Sequence, residues 1–197
     1  YNYLDEKFQA GTEGLMYAAK KGLGVTIMEP LRGGKLANVP KDVKDIFNEA
    51  GGKRTPAQWG LSWVWNHPQV SVVLSGMNEM QQISDNIKMA SEIQANSLNT
   101  EELEIINKAK DVFRKKMKVN CTACEYCMPC PEGIDIPKNF SCYNDHYMFG
   151  KSDMYNWIGK GQRASNCIEC GKCEEHCPQG ISIRKELKNV KALFEQK

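Results

Sequence analysis

All nine cysteines of this 197-residue chain fall between Cys121 and Cys177. That crowding constrains the fold more than any other feature. The later group reads Cys167-x2-Cys170-x2-Cys173-x3-Cys177-Pro178. A loop with this spacing wraps three thiolates around one cubane iron–sulfur cluster and sends its fourth to another. The earlier group, Cys121-x2-Cys124-x2-Cys127-x2-Cys130-Pro131, is one residue tighter before its last cysteine.

The two groups belong to an internal repeat. CPEGIDIPKNF (130–140) and CPQGISIRKEL (177–187) share Cys-Pro, an acid or amide, Gly-Ile, a small polar residue and Ile, so the two halves are duplicated units. Paired motifs imply crossed ligation: Cys121, Cys124 and Cys127 with Cys177 around one [4Fe–4S] cluster, and Cys167, Cys170 and Cys173 with Cys130 around the other. Two other readings compete. Tetrahedral zinc uses CxxC pairs, but usually two pairs across a longer loop rather than triplets with a trailing Cys-Pro. A disulfide scaffold needs an oxidising compartment, and adjacent CxxC pairs make poor bridges. Cys142 lies outside both motifs and reads as a buried small hydrophobe. Eight thiolates leave His146 and His176 no evident metal role. The segment between the motifs, SCYNDHYMFGKSDMYNWIGKGQRAS, is rich in aromatics and reads as one or two short helices.

Upstream, the pattern alternates helix and strand. TEGLMYAAKKG (12–22) has helical spacing and ends at a glycine, and GVTIMEP (24–30) is a short apolar run stopped by Pro30. TPAQWGLSWVWNHP (55–68) opens with Thr55 as N-cap, Pro56 at the first helical position and Gln58 completing a capping box. VSVVLSG (70–76) is a second buried strand, and residues 79–93 and 100–117 form two further helices. Apolar strands alternating with helices imply parallel strands covered by helices. The change in composition places a domain boundary near residue 118, dividing the chain into 1–118 and 119–197. The chain opens on YNYLD, which reads as the end of a strand, so an upstream piece is expected. Lys+Arg 26 against Asp+Glu 24, without a basic stripe, gives no reason to expect nucleic acid. No apolar run approaches a membrane span, so no membrane partner and a cytoplasmic location are expected.

VTIMEPLRGGKLA, TPAQWGLSWVWNHPQVSVVLSGMN and QQISDN resemble the last part of the aldo/keto reductase barrel. CTACEYCMPCPEGIDIP with CIECGKCEEHCP resembles the ferredoxin-like tail carried by one branch of that family. The implied fold is α/β: the C-terminal portion of a (β/α)8 TIM barrel, about its last three strands (YNYLD, GVTIMEP and VSVVLSG), followed by a small α-helical ferredoxin-like domain. The family binds NADP or NAD at the carboxyl ends of its strands. By resemblance, PLRGGKL lies beside the cofactor pyrophosphate, with Leu31, Gly33 and Gly34 giving close backbone approach and Arg32 or Lys35 a positive charge. SGMNEMQQISDN corresponds to the adenosine-phosphate segment, with Ser75, Gly76, Met77 and Asn78 on a loop and Gln82, Asp85 and Asn86 on the following helix. Gln82 stands where many NADPH-specific members carry arginine. The family's catalytic residues lie on earlier strands, so none is assigned here. His67 reads as a turn residue and Glu29 as a possible wall of a substrate cavity.

The resemblance therefore implies an oxidoreductase of the aldo/keto reductase type bearing two [4Fe–4S] clusters. It would act on a small carbonyl substrate or serve an external electron-transfer partner, and would be inactive without the catalytic strands. The alternatives are a non-catalytic electron carrier with the barrel remnant as a docking platform, and a zinc-stapled interaction module.

Overall fold

A computed structural model describes residues 1–52, 54–150 and 152–196. The chain forms two compact units, Tyr1–Lys115 and Lys116–Lys197.

The first unit is helix-rich around a small parallel sheet. Helix α1 (Gly11–Lys20) leads to strand β1 (Thr26–Ile27). Helices α2 (Lys41–Glu49) and α3 (Pro56–Trp65) then carry the chain to strand β2 (Val72–Val73), and α4 (Met80–Glu92) and α5 (Thr100–Lys116) complete the run. β1 and β2 pair in parallel, Thr26 opposite Val72 and Ile27 opposite Val73. Gly11 opens α1 at φ +50, where a Cβ would stand 2.3 Å from the Glu6 carbonyl oxygen. Only glycine fits there.

Helix α3 organises this unit. Thr55 Oγ1 accepts the Gln58 amide at 3.2 Å, while Gln58 Oε1 accepts the Thr55 amide at 2.9 Å. This reciprocal cap satisfies two amides that the first turn leaves without helical partners. Behind it Trp59, Leu61, Trp63 and Val64 are buried, and Phe47 of α2 stacks on Trp59 at 5.5 Å. A helix apolar around most of its circumference needs cover on several sides. It contacts α2, α4 and the 3-10 turn Lys35–Ala37.

Three expectations are corrected here. YNYLD is not a strand. The Tyr1 nitrogen donates to the Met28 carbonyl oxygen at 2.8 Å, but Asn2 Oδ1 then accepts the amides of Leu4 and Asp5 at 3.0 and 3.2 Å. This side-chain turn bends the backbone away from β1. The strands are also shorter and more open than their apolar sequences imply. Two strands form among the described residues, and each has one neighbour. Successive side chains of a strand face opposite ways, so Ile27 is buried while Met28 is 67% exposed. Finally, α2 has no counterpart in the sequence reading. Its signal was the apolar pair Val43 and Phe47, one turn apart after Pro40, and both are buried.

The second unit packs α6 (Ile136–Phe149) against α8 (Ile183–Phe194), with a short α7 (Lys172–Glu175) and three 3-10 turns between them. Ile134, Ile136, Phe140, Ile183, Leu187 and Val190 form its core, with Cys142 buried among them. The aromatic-rich middle segment resolves into the rest of α6 and those turns. Tyr155 stacks on Phe194 at 4.3 Å and donates to Glu195 at 2.8 Å. The duplication is also written in the backbone. The Gly133 amide donates to the Cys130 carbonyl at 2.9 Å, as Gly180 does to Cys177 at 3.1 Å. Ile136 donates to Ile134 at 3.1 Å, as Ile183 does to Ile181 at 2.8 Å. Gly133 and Gly180 are both left-handed, at φ +73 and +61, so each Cys-Pro turns into its helix in the same way.

Candidate functional site

The cysteine loops repeat a backbone pattern that few L-residues adopt. In the first loop Ala123 and Glu125 have positive φ, at 52 and 64. In the second, Glu169 and Gly171 stand at the same positions relative to the cysteines, at 58 and 83. Alternation of left-handed and ordinary residues turns successive amides inward, a concavity that accepts anions such as cluster sulfides. The Ala123 amide already reaches the Cys121 sulfur.

Two cavities divide the eight motif cysteines, and each draws on both motifs. Cys121, Cys124, Cys127 and Cys177 line one, beside Ile136, Pro137 and Ile183. Cys130, Cys167, Cys170 and Cys173 line the other, of ≈ 300 Å³, which Cys127 also borders. The thiols feel each other across the repeat, Cys177 acting on Cys121 and Cys130 on Cys173. Burial pushes the Cys127 and Cys173 thiols up to about 11, with neighbouring thiols adding to the shift for both and Glu174 adding for Cys173. A metal bound by these thiols would have to displace the protons held there. Among the described residues no three His, Cys, Asp or Glu side chains draw together around a single ion. Four thiolates spread around a cavity match the donor set of a cubane, which holds its ligands further apart than one tetrahedral ion does.

The loops are held by groups with no motif signature. Asn144 Oδ1 accepts the Lys118 and Val119 amides at 3.0 and 2.9 Å, which secures the approach to Cys121. Asn139 Nδ2 donates to the Asp135 and Gln162 carbonyls at 2.7 and 2.9 Å. His176 borders the ≈ 300 Å³ cavity, whereas His146 sits edge-on to Tyr147 and Phe194.

In the first unit a cavity of ≈ 700 Å³ collects both glycine-containing segments. Leu31, Gly33 and Gly34 line one side. Ser75, Gly76, Met77 and Asn78 line another, and Gln82, Asp85 and Asn86 of α4 complete it. Arg32 and Lys35 are not among its lining residues. Arg32 turns to an ion pair with Asp5, and Lys35 begins the 3-10 turn. Asn78 donates its amide to Gln82 Oε1 at 3.4 Å, and Gln81 donates to Asp85 at 2.9 Å. Thr55, Ala57 and Gln58 of the α3 cap also line the cavity, a role the capping motif alone did not reveal. Glu29, in the left-handed region at φ 50, lies on the wall. The charged lining residues among those described are thus Glu29 and Asp85, both acidic. The Leu31 side chain rests on Gly60, where a Cβ would come within 2.7 Å of Leu31 Cδ2. His67 ends its helix with Nδ1 at 2.8 Å from the Trp63 carbonyl oxygen, as a turn residue does.

No described helix is long and apolar enough to cross a membrane. The family model described as aldo/keto reductase family matches residues 1–111, and the model described as 4Fe-4S dicluster domain matches residues 120–181. No curated protein and no solved structure matches the chain.

Proposed function

The chain belongs to the aldo/keto reductase family and carries a 4Fe-4S dicluster domain, and from that premise we propose an iron–sulfur oxidoreductase whose tail holds two [4Fe–4S] clusters by crossed ligation. One observation carries this reading. Each cavity gathers three cysteines of one motif and the fourth of the other, with Cys127 bordering both. When bound, the clusters supply one-electron transfer. The chain's own part is to present thiolates, aim backbone amides at sulfide and exclude bulk water with Ile134, Ile136 and Leu187. Thiolate ligands call for a reducing compartment, which favours the cytoplasm.

The ≈ 700 Å³ cavity is the dinucleotide site of this reading. Gly33 and Gly34 allow close approach of a pyrophosphate, and the α4 residues face the adenosine end. With Asp85 as the charged residue among the α4 groups at the adenosine end, the cavity suits the uncharged ribose of NAD better than the extra phosphate of NADP, because a dianion beside a carboxylate is repelled. A small carbonyl compound or an external electron carrier is the partner this reading assigns.

Iron and acid-labile sulfide analysis of anaerobically purified protein tests the cluster reading. About eight of each per chain is the expected result. Stoichiometric zinc without sulfide would sink it. About four of each would mean that the tight Cys127–Cys130 spacing builds no second cluster. Titration with NAD and NADP by protein fluorescence tests the dinucleotide reading, with tighter binding of NAD expected. Clusters without affinity for either would favour the plain electron carrier.

A further inference from the structure

The two cysteine cavities are related by the sequence repeat, and among the positions at which they differ one carries a fixed cation. Cys130 to Pro137 aligns with Cys177 to Arg184, so Pro137 borders the cavity of Cys121, Cys124 and Cys127, while Arg184 borders that of Cys167, Cys170 and Cys173. Arg184 is held in place there. Its backbone amide donates to Glu174 Oε1 at 2.8 Å and its Nε to Glu174 Oε2 at 2.9 Å, with Nη2 at 2.7 Å from the same oxygen. Its guanidinium lies over Gly171, 3.7 Å from where a Cβ would stand.

We propose that the Arg184–Glu174 pair sets the two clusters at different potentials, with the guanidinium raising that of the cluster held by Cys167, Cys170, Cys173 and Cys130. The inference rests on the two-cluster reading above. On reduction a cluster takes up one electron from an external low-potential donor; no bond breaks, and the net charge falls by one. A fixed cation at the cavity wall stabilises the added charge, and a carboxylate opposes it. Glu174 holds the guanidinium and also acts on Cys173, so the two partners pull in opposite senses. The other charged groups bordering this cavity are Glu132, Glu169 and Lys172. Glu169 is paired with Lys188 at 2.7 Å. At the equivalent place in the first cavity Pro137 carries no charge, and the charged residue bordering that cavity is the acidic Glu125.

The test is a dithionite-poised redox titration of the intact protein followed by electron paramagnetic resonance. Cys170→Ser identifies the signal of the second cavity. Arg184→Gln is expected to lower the midpoint of that signal and Glu174→Gln to raise it, while the signal of the first cavity does not move. Arg184→Lys should keep most of the wild-type value. Shifts of the same sign in both glutamine variants, equal shifts of both signals or no shift would overturn the proposal. Loss of iron from either variant would also overturn it, because the pair would then be a structural staple. If the unaltered protein contained no sulfide, the two-cluster reading would fall as well. Intact clusters with unmoved midpoints sink this inference alone.

Discussion

Asn144 closes its carboxamide on Val119, donating to the carbonyl oxygen at 2.7 Å and accepting the amide at 2.9 Å. The two residues are 25 apart in sequence, and both are buried. This clasp fixes the strand of chain that enters the first cysteine loop. Leaving its backbone groups unsatisfied in the interior costs about 1–3 kcal/mol. Asn144→Ala is expected to lower the unfolding free energy by that amount in urea titration, and to release iron from the Cys121 loop faster than from the Cys167 loop. Equal release from both would show that the clasp serves the fold and not the loop.

Crossed ligation predicts which cluster each fourth cysteine supports. Cys177→Ala should damage the cluster of Cys121, Cys124 and Cys127 first, and Cys130→Ala that of Cys167, Cys170 and Cys173. Paramagnetic signals of the reduced variants separate the two cases. Loss of the cluster in the same motif as the substituted cysteine would mean that each loop is self-contained.

The raised thiols of Cys127 and Cys173 give the metal-free protein a defined pH response. Burial lifts them from 9.0 to about 11. An acid whose folded value is raised keeps its proton in the folded state while the unfolded chain has already lost it. Stability is therefore present below the unfolded value and declines as pH climbs between the two. The urea midpoint of metal-free protein, kept anaerobic and reduced, should fall between about pH 9 and about pH 11. In alkylation near neutral pH, exposed Cys124 and Cys170 should react before Cys127 and Cys173. Uniform labelling of all four would contradict the folded thiol geometry.

Gly60 provides a steric handle on the cavity of the first unit. Because a Cβ there would press on Leu31 Cδ2, Gly60→Val should push the Leu31 loop off α3. Overpacking of this kind costs about 1–3 kcal/mol. The loop's displacement should weaken dinucleotide binding by more than the stability loss alone explains, measured on protein still fully folded by circular dichroism. Unchanged affinity in a folded variant would mean that this loop does not touch the ligand.

What the sequence determined by itself was local. Cysteine spacing, the duplicated Cys-Pro-x-Gly-Ile turns and the Thr55–Gln58 cap are legible because each depends on residues within a turn or a loop of one another, where covalent geometry leaves few choices. The segments around Gly33 and Asn78 were legible through resemblance, and the cavity that unites them required the fold. Tertiary structure alone decided that Arg32 would leave that cavity for Asp5, and that Asn2 would turn YNYLD out of the sheet. It also decided that Asn144 would clasp Val119 and that Glu174 would hold Arg184 at the border of the second cavity. In each case the outcome depends on which charged or hydrogen-bonding groups meet across a distance along the chain. A polar side chain carries no local mark of its distant partner, since the free energy of the contact comes from burial that only the packed chain creates.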